Sequence, residues 1–108
     1  MAEAAWKATE RQIARLLGGQ RIPVTGRSRG DEPDVRHPWL SIECKQRRQL
    51  PAWLKEALLQ AKAAATRDQL PIVVLHEQGA RYTGALVVLT LQDFWDWFGD
   101  DGNGKRWG

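Results

Sequence analysis

The chain has 108 residues, enough for one compact domain with a single core and too few for two. Hydrophobic residues make up 43% and charged residues 27%, and no run approaches the roughly 18 apolar residues of a membrane span. One cysteine and two histidines exclude an internal disulfide and a Cys-rich zinc site, so any bound metal must be held by carboxylates.

The net charge of +3 is unevenly distributed. Residues 1–92 hold 14 Lys and Arg against 9 Asp and Glu, whereas the segment from Asp93 onward is acidic. A basic body favours a polyanionic partner. The N-terminus is charged and amphipathic and lacks the features of a signal peptide, so we expect a cytoplasmic protein that does not associate with a membrane.

Residues 3–17 are predicted to form the first helix, which Gly18-Gly19 ends. Glu10 lies on its apolar face, where burying an unpaired charge is expensive. Two explanations stay open: Glu10 projects into a cation site, or it pairs with Lys7 or Arg11 at the edge of the face. The other members of the face are Trp6, Ile13, Ala14 and Leu17.

Three short strands are predicted after this helix, with a loop rich in Gly and Arg at residues 25–33. His37-Pro38 forms a tight turn, because proline cannot donate to a strand ladder. The second and third strands are therefore expected to be antiparallel neighbours. The three strands cover residues 21–24, 34–36 and 39–45.

The third strand alternates between two faces, since successive side chains of a strand point in opposite directions. Glu43 and Lys45 share one face, and Cys44 lies on the other as a small core residue. Asp34, at the start of the neighbouring strand, is expected beside Glu43 and Lys45.

The second half of the chain predicts a helix that Pro51 opens, two strands and a short helix. Both strands are nearly continuous apolar runs, which are typical of strands buried on both faces. We therefore expect one mixed five-stranded sheet flanked by helices, with the element order α-β-β-β-α-β-β-α. These elements are expected to form a single domain over residues 1–108. The elements of this half cover residues 51–67, 71–76, 85–90 and 91–98, and residues 99–108 are expected to be a flexible tail.

Asp34, Glu43 and Lys45 have the chemistry of a phosphodiester-cleaving site. Two carboxylates held close together repel each other unless a cation lies between them, and magnesium suits carboxylate oxygens. The Lys45 ammonium can orient a water or stabilise the charge that develops on the phosphate. Glu10 is the candidate third acidic ligand. The alternative for Asp34 and Glu43 is an ordinary solvated carboxylate paired with Arg36 or Lys45.

The pattern Glu10…Pro33-Asp34…Glu43-Cys44-Lys45 resembles the PD-(D/E)xK nuclease superfamily. It is most similar to the archaeal-type Holliday junction resolvases, of which this chain would be a phage or bacterial version. The resemblance covers about residues 5–75. It departs from the family in the short interval between Asp34 and Glu43 and in the Trp-rich tail.

The resemblance implies a restriction-endonuclease-like core and a homodimer whose two sites cut opposed strands of branched double-stranded DNA. It implies Mg²⁺ dependence, with Mn²⁺ as a substitute, and the host cytoplasm as location for a phage protein. The resemblance also implies a loop serine near the scissile phosphate. Ser28 is the candidate for this serine, and Thr25 is a weaker one. Gln60 corresponds to a glutamine that some members of the superfamily have near the metal site. The alternative interpretation is that Gln60 is an ordinary residue of the helix surface.

Several arginines are candidate DNA contacts because phosphate contacts dominate DNA affinity. The alternative for each is an ordinary solubilising charge. The cluster Phe94, Trp95, Trp97 and Phe98 is a candidate dimer interface. The candidate DNA-binding residues are Arg11, Arg27, Arg29, Arg47 and Arg48.

The leading hypothesis is a Mg²⁺-dependent endonuclease that resolves four-way junctions by paired phosphodiester hydrolysis. A nicking or repair nuclease of the same type is the first alternative. The second is a DNA-binding protein with the same fold and no catalysis.

Overall fold

The computed structural model describes residues 5–21 and 34–99. These residues contain three α-helices and two separate two-stranded antiparallel sheets. The chain is therefore mixed α/β, as expected. It divides into two units, Met1–Arg48 and Gln49–Gly108, and each is described by itself. The single nuclease domain over residues 1–108 stays a prediction.

The first unit is organised around helix α1, Ala5–Leu17. Its predicted inner face is confirmed at Glu10, Ala14 and Leu17, which are buried, whereas Ile13 is half-buried and Trp6 is 43% exposed. The helix ends as predicted at Gly18, whose φ of 72° is left-handed. The Gly19 amide donates to the Ala14 carbonyl and the Gly18 amide to that of Arg15, which is the Schellman pattern of helix ends.

Strands β1, Gln20–Arg21, and β2, Val35–Arg36, pair antiparallel beside α1. Arg21 lies opposite Val35, which is fully buried and forms the core of this unit with Ala14 and Leu17. The first strand was predicted over residues 21–24, of which residues 22–24 lie outside the described part.

The turn at His37-Pro38 is confirmed, and the segment after it returns antiparallel to β2 through a bridge between Val35 and Ile42. His37 fixes the turn to α1, since its Nε2 donates to the Leu17 carbonyl at 2.8 Å while the Trp39 amide donates to its Nδ1 at 3.3 Å. The predicted regular strand over residues 39–45 is wrong, because the pairing is limited to this one bridge among the described residues.

The second unit contains α2, Ala52–Ala64, a hairpin and α3, Leu91–Phe98. The hairpin pairs β3, Val73–Leu75, with β4, Leu86–Val88, and a 3₁₀ helix at Tyr82–Gly84 lies between the strands. α2 ends at Ala64, before the predicted residue 67, because the backbone of Ala65 is extended. The Thr66 amide donates to the Gln69 side chain in the turn that follows. α3 has its predicted bounds, and the Thr90 hydroxyl caps its N-terminus.

The expected five-stranded sheet is not formed among residues 5–21 and 34–99, which hold two sheets of two strands each. The expectation that the apolar strands are buried on both faces is also wrong. Val74 and Val87 lie opposite each other in the hairpin, and each is 57% exposed. Val73, Leu75 and Val88 are half-buried, and β3 contacts α2. Leu86, opposite Leu75 on the same face, is 64% exposed. A continuous apolar run therefore indicates a strand here, and one face of the hairpin is only partly covered.

In the described part of the chain, none of the helices has the length and apolarity that crossing a bilayer requires.

Candidate active site

Glu10 is buried on the inner face of α1, with 4% of its surface exposed. The Arg21 Nε donates to its Oε1 at 2.7 Å, and the Arg21 side chain is only 14% exposed. The inward placement of Glu10 is as the helical pattern predicts. Lys7 and Arg11 were the predicted partners of Glu10, and Arg21 was not among them.

Arg21 could have been found from chain geometry. Seven helical residues separate Glu10 from the helix end at Leu17, which is about 10 Å along the axis. After the reversal at Gly18-Gly19, the two extended residues Gln20 and Arg21 return about 7 Å along the helix. The long side chain of Arg21 covers the remaining distance to Glu10.

Asp34 is also buried, with 7% of its surface exposed. Its amide donates to the Ile42 carbonyl at 2.9 Å, and its Oδ2 accepts the Cys44 amide at 2.6 Å. Both ends of the residue are thus held by the antiparallel segment. Asp34 was expected beside Glu43 and Lys45; it lines one pocket with Lys45, and Glu43 is not part of that lining.

Glu10 and Asp34 line the same pocket, which has a volume of about 280 Å³. Lys45 and Arg47 line it too, so two buried carboxylates and two exposed cationic side chains face one space. Thr9 donates from its hydroxyl to the Gln46 Oε1 at the pocket wall. The complete lining is Trp6, Thr9, Glu10, Asp34, Cys44, Lys45, Gln46 and Arg47.

Glu43 is not among the residues that line this pocket. Its side chain is 61% exposed, and its Oε2 lies 4.0 Å from the Lys45 Nζ, which is itself 71% exposed. Cys44, expected on the opposite face from the site, lines the pocket instead. The physical reason is that pairing is limited to the bridge at Ile42, so strand alternation does not fix side-chain directions at residues 43–45.

Within residues 5–21 and 34–99, no three acidic, histidine or cysteine side chains lie close enough together to hold a metal ion. The structure brings together Glu10, Asp34 and Lys45 of the predicted set and leaves Glu43 at the surface. Among the described residues, the carboxylates that line the pocket are those of Glu10 and Asp34.

Three of the five predicted DNA-binding arginines are among the described residues, and all three are exposed. Arg11 is exposed on α1, Arg47 is exposed at the pocket, and Arg48 is exposed directly after it. Gln60 is exposed on α2 in the second unit. Four other candidates lie outside the described residues: Thr25, Arg27, Ser28 and Arg29.

The four aromatic residues of α3, the predicted dimer interface, are half-buried in the second unit. Phe94 and Phe98 contact each other with ring centroids 5.3 Å apart. Their role in a dimer stays a prediction.

No family model, curated protein or solved structure matches this chain.

Proposed function

We propose that this protein is a metal-dependent DNA endonuclease of the PD-(D/E)xK type that resolves four-way junctions by paired phosphodiester hydrolysis. The proposal includes a restriction-endonuclease-like arrangement of the core. The observation that carries it is the convergence of two buried carboxylates, Glu10 and Asp34, with Lys45 on one pocket.

The donor set of this pocket fits magnesium or manganese. Mg²⁺ is commonly bound through one or two carboxylates while it keeps several waters. Glu10 and Asp34 supply the two carboxylates, and a pocket of about 280 Å³ has room for water, which occupies about 30 Å³ per molecule in the liquid. When bound there, the ion would polarise a phosphoryl oxygen and make a water more acidic.

The protein's own residues divide the remaining work. The Cys44 amide holds the Asp34 carboxylate in one orientation, and Arg21 does the same for Glu10. Lys45 and Arg47 present positive charge at the pocket, where a DNA phosphate would be attracted and the charge of its transition state stabilised. In this arrangement Glu43 pairs with Lys45.

The substrate class and the oligomer belong to the same proposal. A homodimer would carry two such pockets, and each would cut one of two opposed strands of a branched duplex. The exposed Arg11, Arg47 and Arg48 would contact DNA backbone on either side.

One observation favours a second candidate, a DNA-binding protein without catalysis. Glu43, the carboxylate of the E-x-K triplet, is 61% exposed and lies outside the pocket lining. A protein that only binds DNA needs the basic residues and not the carboxylates. Binding of a divalent cation that depends on Asp34 therefore separates the two candidates.

The decisive experiment compares cleavage of a synthetic four-way junction with that of a linear duplex of matched sequence, with and without Mg²⁺. Wild type is expected to give paired nicks in the junction. Lys45→Met is expected to lose about a hundredfold or more in rate, the usual effect of removing one charge-stabilising group. Asp34→Asn is expected to lose a similar factor, because it removes one of the two carboxylates that would hold the ion. The matched control is Arg36→Met, an exposed residue of β2 outside the pocket lining, which is expected to cut like wild type.

The outcomes separate the parts of the proposal. Equal cutting of junction and linear duplex would remove the junction specificity and keep the nuclease. Binding of the junction with no cutting, together with no Mn²⁺ binding, would favour the second candidate. A Glu43→Gln variant that still binds Mn²⁺ while Asp34→Asn does not would support the two-carboxylate site.

A further inference from the structure

Arg21 is fixed against the wall of the Glu10 and Asp34 pocket from three sides. Its Nε bonds the Glu10 carboxylate at 2.7 Å, and its guanidinium carbon lies 5.7 Å from the centre of the Trp6 ring, which lines the pocket. Its backbone belongs to β1, opposite the fully buried Val35. An arginine held in this way loses little further freedom in keeping its bond to Glu10.

Arg21 differs in burial from the other cations of this site. Lys45 is 71% exposed and Arg47 is also exposed, so water and salt screen their charges. The Arg21 side chain is 14% exposed and that of Glu10 is 5% exposed, so their interaction is screened far less. Arg21 is therefore positioned to compensate the charge of Glu10 without any added ion.

We propose that Arg21 is a built-in counter-ion of Glu10 that holds this carboxylate at the pocket and lowers the pocket's affinity for a divalent cation. The inference rests on the proposed function, because it concerns the same cation site. A carboxylate whose charge is partly compensated by a guanidinium attracts a second cation less strongly. Arg21 is thus a positioning residue, which acts on the site through Glu10.

Removing the guanidinium should strengthen cation binding. Arg21→Met keeps an unbranched side chain beside Trp6 and leaves Glu10 and Asp34 with their charge less compensated, a repulsion that a divalent ion relieves. A neighbouring guanidinium typically changes the affinity of a carboxylate for a cation such as the proton by about ten- to a thousandfold. We expect a gain of about tenfold in Mn²⁺ affinity, the lower end of this range.

The experiment measures Mn²⁺ binding to the full chain by calorimetry, and thermal unfolding with and without Mn²⁺. Arg21→Met is expected to melt at a lower temperature than wild type without metal, because Glu10 loses the hydrogen bond from the Arg21 Nε. Mn²⁺ should then raise its melting temperature by more than it raises that of wild type, because tighter binding stabilises more. Arg21→Lys, which keeps the charge, should have a Mn²⁺ affinity near that of wild type. Arg36→Met, which changes an exposed residue of β2, should have the same Mn²⁺ affinity as wild type.

A merely structural role for Arg21 makes a different prediction. If Arg21 only stabilises the fold, Arg21→Met lowers the melting temperature and leaves the Mn²⁺ affinity unchanged or weaker. That result would overturn the inference. Should Arg21→Met be unfolded without metal, the double variant Glu10→Gln/Arg21→Met removes both charges and is expected to fold and to bind Mn²⁺ more weakly than wild type. A double variant that binds Mn²⁺ as tightly as wild type would contradict the proposal.

Failure of this inference is distinguishable from failure of the proposed function. If wild type binds Mn²⁺ through Asp34 and Arg21→Met binds no tighter, the counter-ion role is refuted and the nuclease proposal stands. If neither wild type nor Arg21→Met binds Mn²⁺, both are refuted.

Discussion

Replacing Gly19 by alanine is predicted to push α1 and β2 apart at the point where they meet. A Cβ at this position would lie 2.6 Å from the Arg36 carbonyl oxygen and 2.8 Å from the Val35 Cγ1. The first is a backbone atom and the second belongs to a fully buried side chain, so neither can move aside alone. Overpacking of this kind costs about 1–3 kcal/mol, and with two such contacts we expect about 2–3 kcal/mol.

Two other glycines provide controls for this prediction. Gly18 has open space around it but a φ of +72°, so Gly18→Ala should cost about 1–2 kcal/mol through backbone strain alone. Gly84 has open space and no positive φ, so Gly84→Ala should lie within about 0.5 kcal/mol of wild type.

Denaturant unfolding followed by circular dichroism measures the free energy of unfolding of all three variants. The expected order of destabilisation is Gly19→Ala, then Gly18→Ala, then Gly84→Ala. If Gly19→Ala were as stable as Gly84→Ala, the close packing of Gly19 against β2 would be refuted. The pocket would then lose support as well, since Asp34 directly precedes β2.

His37→Ala should destabilise the first unit by about 1 kcal/mol, because the Leu17 carbonyl at the end of α1 loses the His37 donor. Hydrogen exchange of the amides in the last turn of α1 measures this loss, and unchanged protection of these amides would contradict the prediction. Thr90→Ala should cost about 1 kcal/mol by removing the N-cap of α3, whereas the exposed Thr83→Ala should be neutral in the same denaturant titration. Lys62→Met breaks an ion pair with Asp93 at 3.6 Å, but Lys62 is 55% exposed, so the melting temperature should hardly change in moderate salt and a large fall would be unexpected.

The local elements were largely predictable from sequence. The apolar face of α1 and the glycines at its end fix where this helix lies and where it stops. The bounds of α3 follow from the capping hydroxyl of Thr90 and from Gly99, where a Cβ would overlap Trp95. These features depend on residues within a few positions of one another, so a sequence pattern contains all the information needed.

The candidate site was predictable only in part. Glu10, Asp34 and Lys45 line one pocket because a helix face and a tight turn are both local features. Glu43 was misplaced because its direction depends on how far the pairing with β2 extends, and the structure limits that pairing to the bridge at Ile42. Strand alternation predicts a side chain's face only where a ladder continues on both sides of it.

By itself, the sequence determined where the three helices lie and how α1 and α3 end, because propensity, caps and periodicity act along the chain. The tertiary structure decided how deeply Arg21 and Glu10 are buried, that Asp34 takes the Cys44 amide and that Val74 and Val87 stay exposed in the hairpin. These outcomes depend on which elements pack together across distant parts of the chain. Burial and charge pairing are properties of that packing, and no window of neighbouring residues contains them.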